Sequence, residues 1–316
     1  MCFGFGGGPA AETTIMPAML GLMAALAMLL AAGQAFATEY EVTNKSAVVY
    51  AEHDGTKLTG DLYLPKGRAK APLLVAIPGG GWQAGSSRYY WYWGLFLARN
   101  GYAVFAIDYR TGKAGAYPAA VYDAKAAVQF MRAKAADFDI DPDRIGLMGA
   151  SSGGQLAALI ALAGDQYTSA YRNDANAAVA ADVKAVVVFY GVFDMLAQWT
   201  HEQIAHPHDN LVEKFLGASP MQNRRIYFEA SPISYATTDH NRVRFLLIHG
   251  TDDDVVDPAS QSGAFMTALG QAGFFARRIV IPGAGHFWAS DPFESEPRSY
   301  NALTVPRLLR FLESSL

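Results

Sequence analysis

Apolar residues recur along the chain in two rhythms. Leu73 to Ile77, Ala103 to Ile107, Ile145 to Met148 and Ala185 to Phe189 are short runs, apolar at nearly every position and bounded by turn residues or helical patterns. Runs of that length without polar alternation predict strands buried on both faces, as inside a parallel sheet. Between them, Tyr89 to Arg99 and Tyr117 to Ala135 space apolar residues three and four apart among strong helix formers, the pattern of crossover helices lying on a sheet. Phe245 to Ile248 and Arg278 to Ile281 add two strands, Ala259 to Leu269 a helix between them, and Val305 to Leu312 a closing helix. Ahead of all these, Ala47 to Tyr50 and then Leu58, Leu62, Tyr63 and Leu64 flank Asp54-Gly55, which predicts an antiparallel pair joined by a tight turn at the sheet edge. The fold class that follows is α/β, with a mostly parallel central sheet, an antiparallel N-terminal edge and helices on both faces.

Two stretches lack a clear period. Gly164 to Asp182 is rich in Ala, Asn, Asp and Tyr. Residues 193–239 mix three histidines, prolines and short helical patterns such as Asn210 to Leu216, and read as an excursion above the sheet. A lid over a cleft and a plain surface insertion both fit that composition. Nothing marks a separately folding second domain, so 38–316 is expected to form one.

The N-terminal residues 1–37 form a different class of sequence. They contain no Lys or Arg and one acid, Glu12, while Ile15 to Ala32 is wholly apolar or small and Ala35-Phe36-Ala37 has the small-x-small form read by signal peptidase. The expectation is a secretory signal peptide cut before Thr38, with export to the periplasm or beyond. The apolar run also reaches the roughly 17-residue lower limit of a spanning helix, so an uncleaved, membrane-anchored form is the alternative. The only cysteine, Cys2, lies in this leader, which excludes a disulfide framework, a cysteine nucleophile and a thiolate metal site from the mature chain. With 25 basic and 29 acidic side chains, a formal net charge of −4 and no basic block, the chain does not call for nucleic acid or an anionic membrane as a partner. Small neutral or apolar molecules fit better, and no obligate protein partner is evident.

Gly149-Ala150-Ser151-Ser152-Gly153 matches G-x-S-x-G directly after the strand pattern and before the helical Gln155 to Ala163. Such a turn needs small neighbours so that the backbone approaches closely and the serine hydroxyl stays exposed. Ser151 is therefore the candidate nucleophile; the plainer reading makes it a helix cap. A serine hydroxyl is a weak nucleophile and needs an imidazole to take its proton and an acid to orient that ring. His286, after the last strand, and Asp253, after the one before it, follow Ser151 in the expected chain order. Thr251-Asp252-Asp253-Asp254 offers three neighbouring acids, with Asp253 favoured and Asp254 next. The oxyanion of a tetrahedral intermediate needs fixed donors. Pro78-Gly79-Gly80-Gly81-Trp82 follows a strand, so the hole is assigned to the amides of Gly80, Gly81 and Ser152. Trp82, beside those glycines, is the candidate substrate contact. The aromatic run Tyr89 to Trp93, with Trp82 and Phe287-Trp288, offers an apolar wall for an aryl or medium-sized acyl group, but the helical spacing of Tyr89, Trp93 and Phe96 favours core packing for those three.

Of the other histidines, His53 and His240 read as solvated surface and His249 as a brace for the acid loop. His201, His206 and His208 with Asp209 match no specific zinc spacing. No metal or organic cofactor is expected.

Taken together, PGGGW at 78–82, DYR at 108–110, YPAAVYDAKAAVQF at 117–130, DPDRIGLMGASSGG at 141–154, SPISY at 231–235, HGTDDDVV at 249–256 and GAGHFW at 283–288 resemble the α/β-hydrolase superfamily. The likeness is to its lipase/esterase branch, related to hormone-sensitive lipase and bacterial feruloyl-esterase-like carboxylesterases. The resemblance spans roughly Val48 to Leu312. It implies an α/β-hydrolase fold, a triad of Ser151, Asp253 and His286, and oxyanion glycines at Gly80 and Gly81. The family acid normally takes the fifth place of HG-x-x-D, which is Asp253. One departure stands out: Pro78 replaces the histidine of the usual HGGG segment. The implied activity is a serine carboxylesterase acting on small to medium or aryl esters through an acyl-enzyme. A peptidase or amidase of the same superfamily and a noncatalytic binding domain on the same scaffold are the alternatives.

Overall fold

A computed structural model describes residues 1–8, 39–168, 170–171, 173–205, 207–293 and 299–316. The apolar run and cut site of the expected leader, and His206, lie outside the described residues. The chain divides into two compact units, Met1–Glu39 and Tyr40–Leu316. In the first, residues 1–8 carry no regular secondary structure. The second holds everything below.

Its centre is an eight-stranded sheet of β1 (Val42–His53), β2 (Thr56–Pro65), β3 (Ala71–Ile77), β4 (Ala103–Ile107), β5 (Ile140–Ala150), β6 (Ala185–Phe189), β7 (Arg244–Gly250) and β8 (Ala276–Ile281). The spatial order is β1-β2-β4-β3-β5-β6-β7-β8. β1 pairs antiparallel with β2, and β2 with β4; every later pairing is parallel. The predicted hairpin therefore does form an antiparallel edge. All residues of β3, β4 and β6 are buried, which is why those segments read as unbroken apolar runs.

Alternate strand residues feed two separate cores. Leu73, Val75, Ile77, Leu147 and Val188 face one side, where α2 (Ala119–Ala133), α3 (Ser152–Ala163) and α7 (Ala264–Gln271) pack. Leu74, Ala76, Met148, Val187 and Ile248 face the other, covered by α1 (Trp91–Arg99) and α8 (Tyr300–Ser315). Several boundaries differ from the sequence pattern. The helix expected from Ala259 opens with a π turn, Ala259–Gly263, and α8 begins before Val305 with Pro306 inside it.

The excursion folds into α4 (Met195–Ala205), α5 (Leu211–Leu216) and α6 (Arg224–Glu229). Its buried Phe215 and Val212 join the first core.

Candidate active site

The parallel register brings the site together. Ile77 pairs with Gly149, and Ala150 pairs with Phe189, which pairs with Ile248; Gly250 pairs with Ile281. The segments leaving the carboxyl ends of β3, β5, β6, β7 and β8 thus emerge side by side, the edge at which α/β sheets gather ligands. Ser151 sits in the turn between β5 and α3 with φ 53° and ψ −123°. A non-glycine residue in that region costs on the order of 1–3 kcal/mol and persists only where its surroundings hold it. Here the Ser151 amide donates to Phe189 O at 2.9 Å. The flanking glycines are needed for close approach: a Cβ on Gly149 would lie 2.3 Å from Gly153 O, and one on Gly153 2.1 Å from Ile77 O.

Ser151 Oγ lies 3.0 Å from His286 Nε2, and His286 Nδ1 lies 2.7 Å from Asp253 Oδ2. Asp253 is buried, while Asp252 and Asp254 on either side are exposed. The second oxygen of Asp253 accepts the amides of Val255 at 3.0 Å and Val256 at 2.9 Å. His249 Nε2 stands 3.2 Å from Oδ2 and 3.0 Å from the Val256 carbonyl. A carbonyl only accepts, so that nitrogen carries the proton and His249 braces the acid loop. Burial pushes the Asp253 pKa up, but the hydrogen bonds from His249 and His286, the His286 charge and the Val256 amide outweigh it, and the carboxyl titrates well below the usual range. It is held as the anion. The acid and histidine loops are also tied directly: Asp252 N donates to Ala284 O at 3.0 Å and Gly283 N to Thr251 Oγ1 at 2.8 Å.

The glycine segment passes directly over Ser151. A Cβ on Gly79 would meet Ala150 O at 2.7 Å and Ser151 Cβ at 3.1 Å. Gly80, at φ 130°, turns the loop so that its carbonyl accepts the amides of Gln83 and Ala84, both at 3.1 Å. Among the described residues, the amides of Gly80, Gly81 and Ser152 donate to no protein oxygen. Pro78, where the usual segment has histidine, has its carbonyl held by the Tyr109 hydroxyl at 3.0 Å.

Trp82 does not take the place expected of it. Its indole is buried, stacks on Phe215 with centroids 4.7 Å apart, and donates through Nε1 to Gln155 Oε1 at 3.0 Å. Gln155 in turn donates to Ala230 O at 2.8 Å. Trp82 is not part of the cleft wall, and its ring ties the glycine loop to α3 and to the excursion. The excursion contributes no residue to the cleft wall among those described. It also supports the acid loop, Gln198 donating to Val255 O at 2.9 Å and His201 lying 2.8 Å from Asp254 O.

A cleft of about 210 Å³ opens at Ser151, walled by Gly79, Gly80, Tyr90, Tyr190, Phe287 and Ala289, among others. Tyr190 rests against the His286 ring, centroids 4.3 Å apart, and its hydroxyl accepts the Ala289 amide at 3.0 Å. Tyr89 is half-exposed and lines the cleft rather than the core, because it precedes α1 in a 3₁₀ turn, Ser87–Tyr90, and so leaves the helical face that buries Trp93. Tyr90 and Phe287 take the wall positions expected of the aromatic segments, whereas Tyr190 has no such sequence expectation. The signal for Tyr190 is its place directly after β6.

His53 departs furthest from expectation. It is 1% exposed, with Nδ1 2.6 Å from Asp123 Oδ1 and Nε2 2.7 Å from Asp174 Oδ2. The hairpin turn that suggests a surface position is itself exposed, but β1, which ends at His53, packs against α2, which supplies Asp123.

The chain is similar to known proteins in sequence and in fold. A family profile described as BD-FAE matches residues 60–269. "Esterase LipC" of Mycobacterium tuberculosis is 32% identical over 222 residues, covering 68% of this chain and 53% of that protein. "Esterase LipQ" of the same organism is 33% identical over 207 residues, covering 65% and 47%. The chain spans about half the length of these curated relatives. A propionate-bound thermophilic esterase from Thermogutta terrifontis, Est2, superposes with a TM-score of 0.69 over 88% of this chain and 95% of that one at 24% identity, a likeness of fold. By profile, relatives and sheet topology, the chain belongs to the BD-FAE family, within the esterase branch of the α/β-hydrolases.

Proposed function

We propose that the chain is a serine carboxylesterase that hydrolyses small carboxylic esters through an acyl-enzyme. The observation that carries this is the continuous relay from Ser151 Oγ through His286 to Asp253, at 3.0 and 2.7 Å, set beneath the glycine segment. Nδ1–H of His286 donates to the Asp253 anion, which leaves Nε2 unprotonated and facing the serine hydroxyl. Ser151 Oγ attacks the ester carbonyl while Nε2 takes its proton, and the carbonyl oxygen gains the charge that the Gly80, Gly81 and Ser152 amides receive. Collapse breaks the bond to the alcohol oxygen, which leaves with the proton from Nε2. Water then attacks the acyl-enzyme by the reverse route, giving the acid and free Ser151.

The cleft supports the small end of the substrate range. Sites for drug-sized ligands occupy about 300–1,000 Å³, and this one has about 210 Å³ with mainly aromatic and backbone walls. Short acyl or alcohol groups, or a single aryl ring, match it better than long chains.

The test is labelling with a fluorophosphonate probe alongside turnover of 4-nitrophenyl acetate. Wild-type protein is expected to label once per chain and to turn over the ester. Ser151→Ala is expected to lose labelling and to lower kcat by up to about a million-fold, the scale seen when such a nucleophile is removed. Equal labelling of the Ser151→Ala variant would refute the assignment.

A further inference from the structure

The amides assigned to the oxyanion lie in a segment with few side chains to hold it. Gly79, Gly80 and Gly81 carry none, and glycine is the residue whose backbone its own chemistry restrains least. The sheet fixes the chain as far as Ile77, which pairs with Gly149. Beyond that, the directions of Gly80 and Gly81 are set by whatever grips the two ends of the segment, Pro78 and Trp82. Trp82 is held twice: its indole donates to Gln155, and its carbonyl accepts the Gly112 amide at 2.7 Å. Pro78 has neither an N–H nor a polar side chain, so its carbonyl is the one group by which that end can be hydrogen-bonded. Among the described residues, its partner is the Tyr109 hydroxyl.

That carbonyl is also where the segment meets the serine turn. A Cβ on Gly153, two residues after Ser151, would lie 2.5 Å from Pro78 O. The 3.0 Å hydrogen bond from Tyr109 therefore holds the atom that rests on the turn carrying Ser151. Tyr109 leaves the end of β4, next to β3 in the sheet, and its ring is buried in the first core. Burial pushes its pKa up, so the hydroxyl stays protonated and donates. Its neighbours grip the same loop, Asp108 Oδ1 accepting the Ser87 amide at 2.8 Å and Gly112 holding Trp82. Residues 108–112 thus clamp the glycine loop at its start, middle and exit.

We infer that the Tyr109 hydroxyl is a positioning group for the oxyanion amides: by holding the Pro78 carbonyl, it sets the direction of the Gly80 and Gly81 N–H groups relative to Ser151. Tyr109 touches no substrate. Donors aimed before the reaction need not reorganise as charge develops, and that advantage shrinks when they are free to drift. With Pro78 in place of the histidine of the HGGG pattern, the segment brings no side-chain hydrogen bond of its own at this end, and the neighbouring strand supplies the grip. The inference rests on the esterase reading above.

Tyr109→Phe tests it, since the ring stays and only the hydroxyl goes. Two inhibitors are compared: 1,1,1-trifluoro-4-phenylbutan-2-one, which adds to the serine and places an oxyanion among the amides, and 4-phenylbutan-2-one, which binds as the ketone. Turnover of 4-nitrophenyl acetate is taken per fluorophosphonate-titrated Ser151, so that unfolded molecules do not enter. In the variant, kcat/KM is expected to fall about ten-fold, as for loss of a single hydrogen bond, and the Ki of the trifluoromethyl ketone to rise by the same factor. The Ki of the plain ketone is expected to stay constant, which a general loosening of the cleft would not allow. Unchanged kcat/KM and trifluoromethyl ketone Ki, or equal weakening of both ketones, overturn the inference and leave the esterase reading standing. Failure of the variant to give any folded, labelled protein would assign the hydroxyl to the fold and overturn it too. Absence of Ser151-dependent turnover in the wild type overturns both readings.

Discussion

Asp253 stands between two imidazoles, and the two do different work. His286 presents its far nitrogen to Ser151, whereas His249 turns its protonated nitrogen toward both the carboxylate and the Val256 carbonyl. The carboxylate is thereby fixed as an anion and in one orientation, and in the proposed mechanism its value is the tautomer it imposes on His286. Asp253→Asn is expected to retain the fold but to lower kcat by about 10⁴-fold, because an amide can present its N–H to Nδ1 and so favour the wrong tautomer. Stopped-time assays beside circular dichroism check this; a loss within ten-fold would mean that the ring is oriented by something else. At this scale the sequence was informative about identity and order. It could not separate Asp253 from Asp254 by composition, since adjacent identical side chains differ only in which of them the loop buries.

Glycines act at the scale of elements by letting three strand ends converge without side chains between them. Gly153 sits against Ile77 O, Gly79 against Ala150 O, and Gly250 against Ala284 O, where a Cβ would come within 2.0 Å. Each contact joins the end of one strand to the loop of another. Gly153→Ala is expected to lower stability by about 1–3 kcal/mol, as overpacking does, and to reduce turnover by moving the nucleophile away from the glycine amides. Urea midpoints and kcat measured on the same preparation test both parts. A fully active, fully stable alanine variant would show that β3 and the elbow are less closely apposed than described. The same scale explains the Trp82 correction: sequence places an aromatic next to the oxyanion glycines, but the direction of its ring depends on Phe215 and Gln155, which come from elsewhere in the chain.

Across the whole molecule, a charged network far from Ser151 in sequence ties β1 to α2 and to the segment after α3. His53 lies between Asp123 and Asp174 and stacks on Tyr171 with centroids 3.7 Å apart, while Arg110 Nε and Nη2 engage both oxygens of Asp123 at 2.8 and 2.7 Å. Burial draws the His53 pKa down, but the hydrogen bonds and charges of Asp123 and Asp174 outweigh it and the net shift is upward. A group whose folded-state pKa is raised stabilises fully below its unfolded value, about 6.5, and that contribution is lost as pH rises through the folded value. The difference in urea stability between wild type and His53→Gln is therefore expected to be largest near pH 6 and to shrink toward pH 9. A difference constant with pH would mean that His53 titrates alike in the folded and unfolded chain, and one that grows with pH would mean that the fold holds it neutral.

The sequence by itself determined the strand and helix order, the antiparallel edge, the serine elbow and the chain order of its partners. Those properties are local: buried runs, helical spacing, and glycines beside a serine are written in neighbouring residues. Tertiary structure decided which of three acids is buried, that His53 is a core ion partner rather than a surface residue, that Trp82 braces a loop, and that Tyr190 rests against the His286 ring. Each depends on what a distant segment places opposite the side chain, and burial and hydrogen-bond pairing are set by that opposing surface rather than by the residue's own neighbours in the chain.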